Sequence, residues 1–249
     1  MSEIAFKFSD MIREIQTFEA VARGFLDESA PGVLANYSRQ LQFIEREKPQ
    51  GVSHWIISKD RPLKTAVSRG HYDRHGQLDV FATISTKWEI RCPAEKSKKK
   101  LPQKIFHLTG LASTTVKVFS KRDDDTEELL TAWQSDIGDA DSPGCHFHIQ
   151  VQHEDEQPPY PKTFPVPRFP SLLTSPLAAA EFVISELFQS EWIKSARPTS
   201  SDHIKWSAIQ QNRMRNLLEW QRDIVADSIW SPWTFLKRAK PHSDIFGLN

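Results

Sequence analysis

Cysteine, net charge and long apolar runs are all scarce in this chain. Cys92 and Cys145 are the only two cysteines among 249 residues, too few for a disulfide framework or a four-thiolate zinc site. Both fall on apolar strand faces, which points to free thiols in a reducing compartment. Basic residues number 32 and acidic residues 32, so the formal net charge is zero. A neutral chain exerts no global pull on nucleic acid or anionic lipid, and such a partner would need a local patch. No stretch approaches the roughly 18 consecutive apolar residues of a membrane span. The opening ten residues mix Glu3, Lys7 and Asp10 with apolar ones, unlike a secretory signal. The expected location is therefore the cytoplasm, with no membrane partner. Nine glycines include no phosphate-loop or dinucleotide spacing, and neither a His-Glu-x-x-His nor a nucleophile-elbow motif occurs. The pattern names no cofactor.

What the chain does contain is a sequence of clear periodicities. After a plausible cap at Ser9-Asp10, Met11, Ile15, Phe18, Ala22 and Phe25 follow at helical spacing. Pro31-Gly32 breaks that helix, and Leu34, Tyr37, Leu41 and Ile44 mark a second one ending at Pro49-Gln50-Gly51. The period then changes to two. Strands are expected at His54–Lys59, Leu78–Cys92, Ile105–Leu108, Thr114–Ser120, Leu129–Gln134 and Cys145–Gln152. Their short connections, Gly110 with Ser113 among them, leave no room for crossover helices, so neighbours should pair antiparallel. Residues 157–176 carry seven prolines, a density expected to forbid ladder pairing and to favour an extended polyproline II strap. Ser175-Pro176 then reads as a cap and first helical residue. A last long helix starts at Ser201-Asp202, with Trp206, Ile209, Arg213, Leu217, Trp220 and Ile224 on one face.

The expected fold is α+β: an antiparallel meander sheet of five or six strands packed against an N-terminal helical hairpin and C-terminal helices. The hairpin (1–50), sheet (51–156), strap (157–175) and helical C-terminus (176–249) should form one domain, since neither helical end can bury its apolar face alone.

Chemistry concentrates at Cys145–Gln152. Strict alternation puts Cys145, Phe147, Ile149 and Val151 on one face and His146, His148, Gln150 and Gln152 on the other. Like residues lie about 7 Å apart along such a strand. A solvent-facing side of a half-buried strand accounts for this stripe. A metal would need further ligands, drawn from His107, His54, Asp139 and Asp141. Arg168, held among prolines just after the strand, could lie over the polar face and hold a phosphate or carboxylate. The segment His146–Gln152, preceded by Ser142-Pro143-Gly144, resembles the signature of histidine-triad nucleotide hydrolases and transferases. Ending in glutamine, it is more similar to the galactose-1-phosphate uridylyltransferase branch. That resemblance implies His148 as the nucleophile toward a nucleotide phosphate and Gln150 as a phosphate-holding residue. It covers a small part of the chain, and the meander upstream departs from the long helix those families place before the histidine strand.

Two further features compete. Five of the eight tryptophans, Trp192, Trp206, Trp220, Trp230 and Trp233, fall in the C-terminal helical region. Tryptophan at helical spacing is usually core, but with Arg213, Arg215 and Arg222 alongside, the set also suits a protein–protein hot spot. The run Lys96-Ser97-Lys98-Lys99-Lys100 is the one basic run, closed by Lys98, Lys99 and Lys100. It reads as a solvated loop or a phosphate-backbone contact.

The leading expectation is a soluble binding or accessory protein, a bacterial regulatory or interaction subunit acting through Trp206, Arg213, Trp220, Trp230 and Trp233 on a protein partner or a second copy. The rival is a hydrolase or transferase acting on phosphoesters or nucleotides through His146, His148, Gln150 and Arg168, with or without a metal. The third is a nucleic-acid-binding protein using Lys98, Lys99 and Lys100.

Overall fold

The computed structural model describes residues 4–70, 78–93, 104–122, 124, 126–138, 146–152, 168–197, 199–227, 229, 231, 239–243 and 245–246. Among them, four α-helices and one antiparallel sheet give the expected α+β architecture. Strand β1 (Ala5–Lys7) leads into α1 (Phe8–Ala22), and a 3-10 turn at Arg23–Phe25 precedes α2 (Ala30–Glu47). Strands β2 (Ser53–Ile57), β3 (Leu63–Lys64), β4 (Asp79–Arg91), β5 (Ile105–Lys121), β6 (Glu127–Ile137), β7 (Phe147–Gln152) and β8 (Arg168–Pro170) follow, then α3 (Pro176–Ser195) and α4 (Ser201–Asp227). The sheet runs β2-β4-β5-β6-β7-β8, with β1 added on β5 and β3 on β4. The short strands β1 and β3 bring the total to eight.

Local sequence explains most boundaries. Ser175 Oγ accepts from Ala178 N at 3.1 Å, so the Ser-Pro start of α3 forms as expected. Helix α2 begins at Ala30 with Pro31 in its first turn, where a missing N–H is harmless. Just before it, Asp27 Oδ1 accepts from Ser29 N at 2.8 Å. The hydrogen bonds from Ser29 hold the Asp27 carboxyl below its usual range. The cap expected at Ser9-Asp10 is not used: α1 starts at Phe8, and Asp10 instead pairs with Arg13 at 3.0 Å in the first turn.

Two expectations about the sheet are corrected. Gly110 does not separate two strands, because β5 runs unbroken from Ile105 to Lys121. It lies beside the irregularity between Trp88 and Ile90 on β4, where the Glu89 side chain fills the space a Cβ on Gly110 would need. Nor does proline abolish pairing in the strap: Arg168–Pro170 pairs with β7 in the register His148↔Pro170, Ile149↔Phe169 and Gln150↔Arg168. Pro170 is tolerated because β8 is the sheet's edge.

One hydrophobic cluster joins helices and sheet, including Met11, Ile15 and Phe18 of α1, Tyr37 and Leu41 of α2, Trp88 and Ile90 of β4, and Leu217 and Trp220 of α4. The Tyr37 and Trp55 rings stack 4.0 Å apart, and Trp55 Nε1 donates to Tyr37 O at 2.9 Å. The two ends of the chain meet in this core. Ala5 N donates to Ser243 O at 2.5 Å, and the Phe246 ring packs 5.5 Å from Phe6 and 5.6 Å from Phe147. Among the described residues, no helix is long and apolar enough to cross a membrane.

Candidate functional site

Strand β7 keeps the expected alternation, with Phe147 in the core and His148 and Gln150 on the opposite side. Cross-strand neighbours share a face, so the register builds two polar rungs there. One is Lys87, Ser113, Asp136, His148 and Pro170; the other is Ser85, Thr115, Gln134, Gln150 and Arg168. Asp136 is the hub of the first. Its Oδ1 accepts from Ser113 Oγ at 2.5 Å and from Gln134 Nε2 at 2.7 Å. Its Oδ2 lies 2.9 Å from Gln134 Nε2, 3.4 Å from Gln150 Nε2 and 3.4 Å from His148 Nε2.

This geometry corrects the solvent-facing reading of His148, since both the His148 and Asp136 side chains are only 3% exposed. The imidazole is held on a carboxylate rather than offered to solvent. His146 precedes β7, with its ring 5.3 Å from Phe147, and is half-buried. Arg168 is exposed, opposite Gln150, on the rung next to His148. Neither His107 nor His54 joins them: His107 pairs with Ala5 and Arg91, six positions along β5 from Ser113, and His54 pairs with Glu89. Among the described residues there is no group of three side chains suited to a metal ion. Asp139, Asp141, Cys145 and Lys98, Lys99 and Lys100 lie outside the described residues, as do Trp230 and Trp233. Cys92 is half-buried just past β4, its Sγ 3.8 Å from Ile44 O, and burial raises its thiol pKa.

Helix α4 presents the predicted face, but inward. Trp206 is 3% and Trp220 7% exposed, and Arg213 is fully buried. A contact surface through these three is therefore corrected to core. Arg213 Nη1 meets Glu14 Oε2 of α1 at 2.7 Å, Nη2 lies 3.2 Å from Met11 Sδ, and the guanidinium sits over the Phe6 ring. Ser175 Oγ donates to Glu14 Oε1 at 2.6 Å and Gln210 Nε2 does so at 3.3 Å. A buried guanidinium needs this matched carboxylate to offset its desolvation.

The exposed apolar residues of α4 form a different stripe. Met214, Leu218 and Val225 are 42%, 45% and 44% exposed, and their spacing puts them together on one side of the helix. At its Met214 end that stripe meets a cleft of about 380 Å³ between α3 and α4, whose lining includes Phe182, Trp192, Trp206 and Met214, while Leu218 and Val225 continue along α4 beyond it. Glu181 is the one ionisable side chain among the described residues of the lining. Burial raises its pKa, the nearby Trp206 indole opposes that, and the Glu14 charge adds to the rise. Within α3, Gln189 adopts φ 38° and ψ −108°, a kink between the part carrying Phe182 and the part carrying Trp192. The sequence signal for this cleft was the second apolar series on α4, offset from the tryptophan face.

Comparison of the chain with protein-family models, with curated proteins and with solved structures finds no match.

Proposed function

We propose that this is an interaction protein whose α3–α4 cleft takes an amphipathic helix of a protein partner. The observation that carries the reading is an apolar cleft that opens at Met214 onto the exposed stripe of Met214, Leu218 and Val225. Exposed apolar residues grouped this way mark binding surfaces, and two helices flanking a groove suit the helix-in-groove mode. From Met214 to Val225 the stripe runs about 16 Å at 1.5 Å per residue, three turns of a partner helix. Glu181, without an ion-pair partner among the described residues, fits a lysine or arginine on that helix.

The experiment compares the chain with its Met214→Glu/Leu218→Glu variant, purified from its own cells and read by native mass spectrometry and cross-linking. A partner that cross-links to α4 in the parent chain and is absent from the variant supports the reading. Retention of the partner by the variant sinks it. A symmetric dimer lost in the variant would assign the face to a second copy instead.

A phosphoester or nucleotide enzyme is the second reading, favoured by Arg168 standing opposite Gln150. It demands access to His148, which the Asp136 network occupies.

A further inference from the structure

A separate groove of about 850 Å³ lies between α2 and the edge strand β2. Asn36, Arg39, Gln40, Phe43 and Arg46 form one wall at helical spacing, and Ser53 and His54 form the other. Among its described residues the lining holds two arginines and a histidine and no acidic residue. Arg46 Nε meets Glu47 Oε1 just outside it at 2.7 Å, an exposed pair that leaves the terminal guanidinium nitrogens for a ligand. Phe43 of this lining is 55% exposed.

An edge strand is a template for pairing unless something blocks it. Part of this edge is blocked in an identifiable way. Gln40 Nε2 donates to Ile56 O at 3.1 Å, and Ile56 N donates to Gln40 Oε1 at 3.1 Å. The carboxamide thus stands in for a neighbouring strand at Ile56 and stops pairing from running further. In an antiparallel ladder every second residue turns its amide and carbonyl the same way, so those of His54 also face the open side, within the groove.

We infer that this groove binds a short, extended, acidic peptide segment, which adds to β2 at His54 while its carboxylates pair with Arg39 and Arg46. Charge selects the ligand: a guanidinium fork holds a carboxylate in two-point fashion. Backbone pairing supplies the rest, as in strand-addition recognition. Gln40 limits the length, because pairing beyond His54 would have to displace its carboxamide.

The test uses three acetylated, amidated hexapeptides of alternating valine and a variable residue: glutamate, glutamine, and glutamate with a central N-methylated backbone. Each is titrated into the isotopically labelled full chain and followed by amide NMR. The glutamate peptide should shift the amides of Ser53, His54 and α2. The glutamine and N-methylated peptides should each bind at least ten-fold more weakly. Arg39→Gln/Arg46→Gln should abolish the preference for glutamate without altering thermal stability, since both side chains are exposed. Gln40→Ala should tighten binding several-fold by opening the edge at Ile56. Absence of binding at millimolar peptide, equal binding of the glutamate and glutamine peptides, or shifts confined to other elements would overturn the inference.

Discussion

Glu14 of α1 and Arg213 of α4 meet at 2.7 Å inside the core, their side chains 0% and 1% exposed. This ion pair fastens the last long helix to the first. Removing one partner leaves a buried charge uncompensated, which typically costs about 3–5 kcal/mol. Arg213→Met alone and Glu14→Leu alone should therefore both be severely destabilised in urea unfolding. The double replacement should recover most of that loss, because an apolar pair of similar volume needs no desolvation of charge. Additive losses in the double variant would contradict this.

The network around Asp136 gives a second measurable outcome. An exposed catalytic histidine could be replaced with little effect on stability. A histidine held against Asp136 cannot, so His148→Ala should lower stability by about 1–3 kcal/mol, the usual cost of orphaning a buried polar group. Asp136→Ala should cost more, since Ser113, Gln134, Gln150 and His148 all lose their common partner. Equilibrium denaturation of both variants decides the matter.

Glu181 makes the pH dependence specific. Its carboxyl is raised above the ordinary value of 4.5 by burial and by Glu14, against the Trp206 indole. The folded protein then holds that proton more firmly than the unfolded chain does. This group's contribution consequently declines as pH climbs from 4.5 toward its folded value. Glu181→Gln, neutral throughout, should match the parent in acid and exceed it at neutral pH. Urea midpoints measured across that window should diverge with rising pH; parallel curves would rule out the assignment.

Much of the scaffold was legible because alternation and helical spacing report burial directly. The face of α4 from Trp206 to Ile224 and the inward side of β4 both stand as read. The consequence drawn for Arg213 did not. An arginine centred in an apolar stripe calls for a buried acid, and Glu14 sits in the same situation between Met11, Ile15 and Phe18. Pairing the two needs tertiary knowledge that periodicity lacks. The same holds for His148, whose partner Asp136 could be found only from the β6–β7 register. Gly110 misled because glycine marks both turns and close approaches, and nothing local says that Glu89 lies across from it.

The meeting of Ala5 with Ser243 and of Phe6 with Phe246 bears on biosynthesis. A ribosome releases β1 long before Phe246, the aromatic residue that packs on Phe6, exists. Phe6 therefore lacks that ring contact for as long as the sheet and the later helices are still being made. Closure of this part of the core thus has to follow the synthesis of α4.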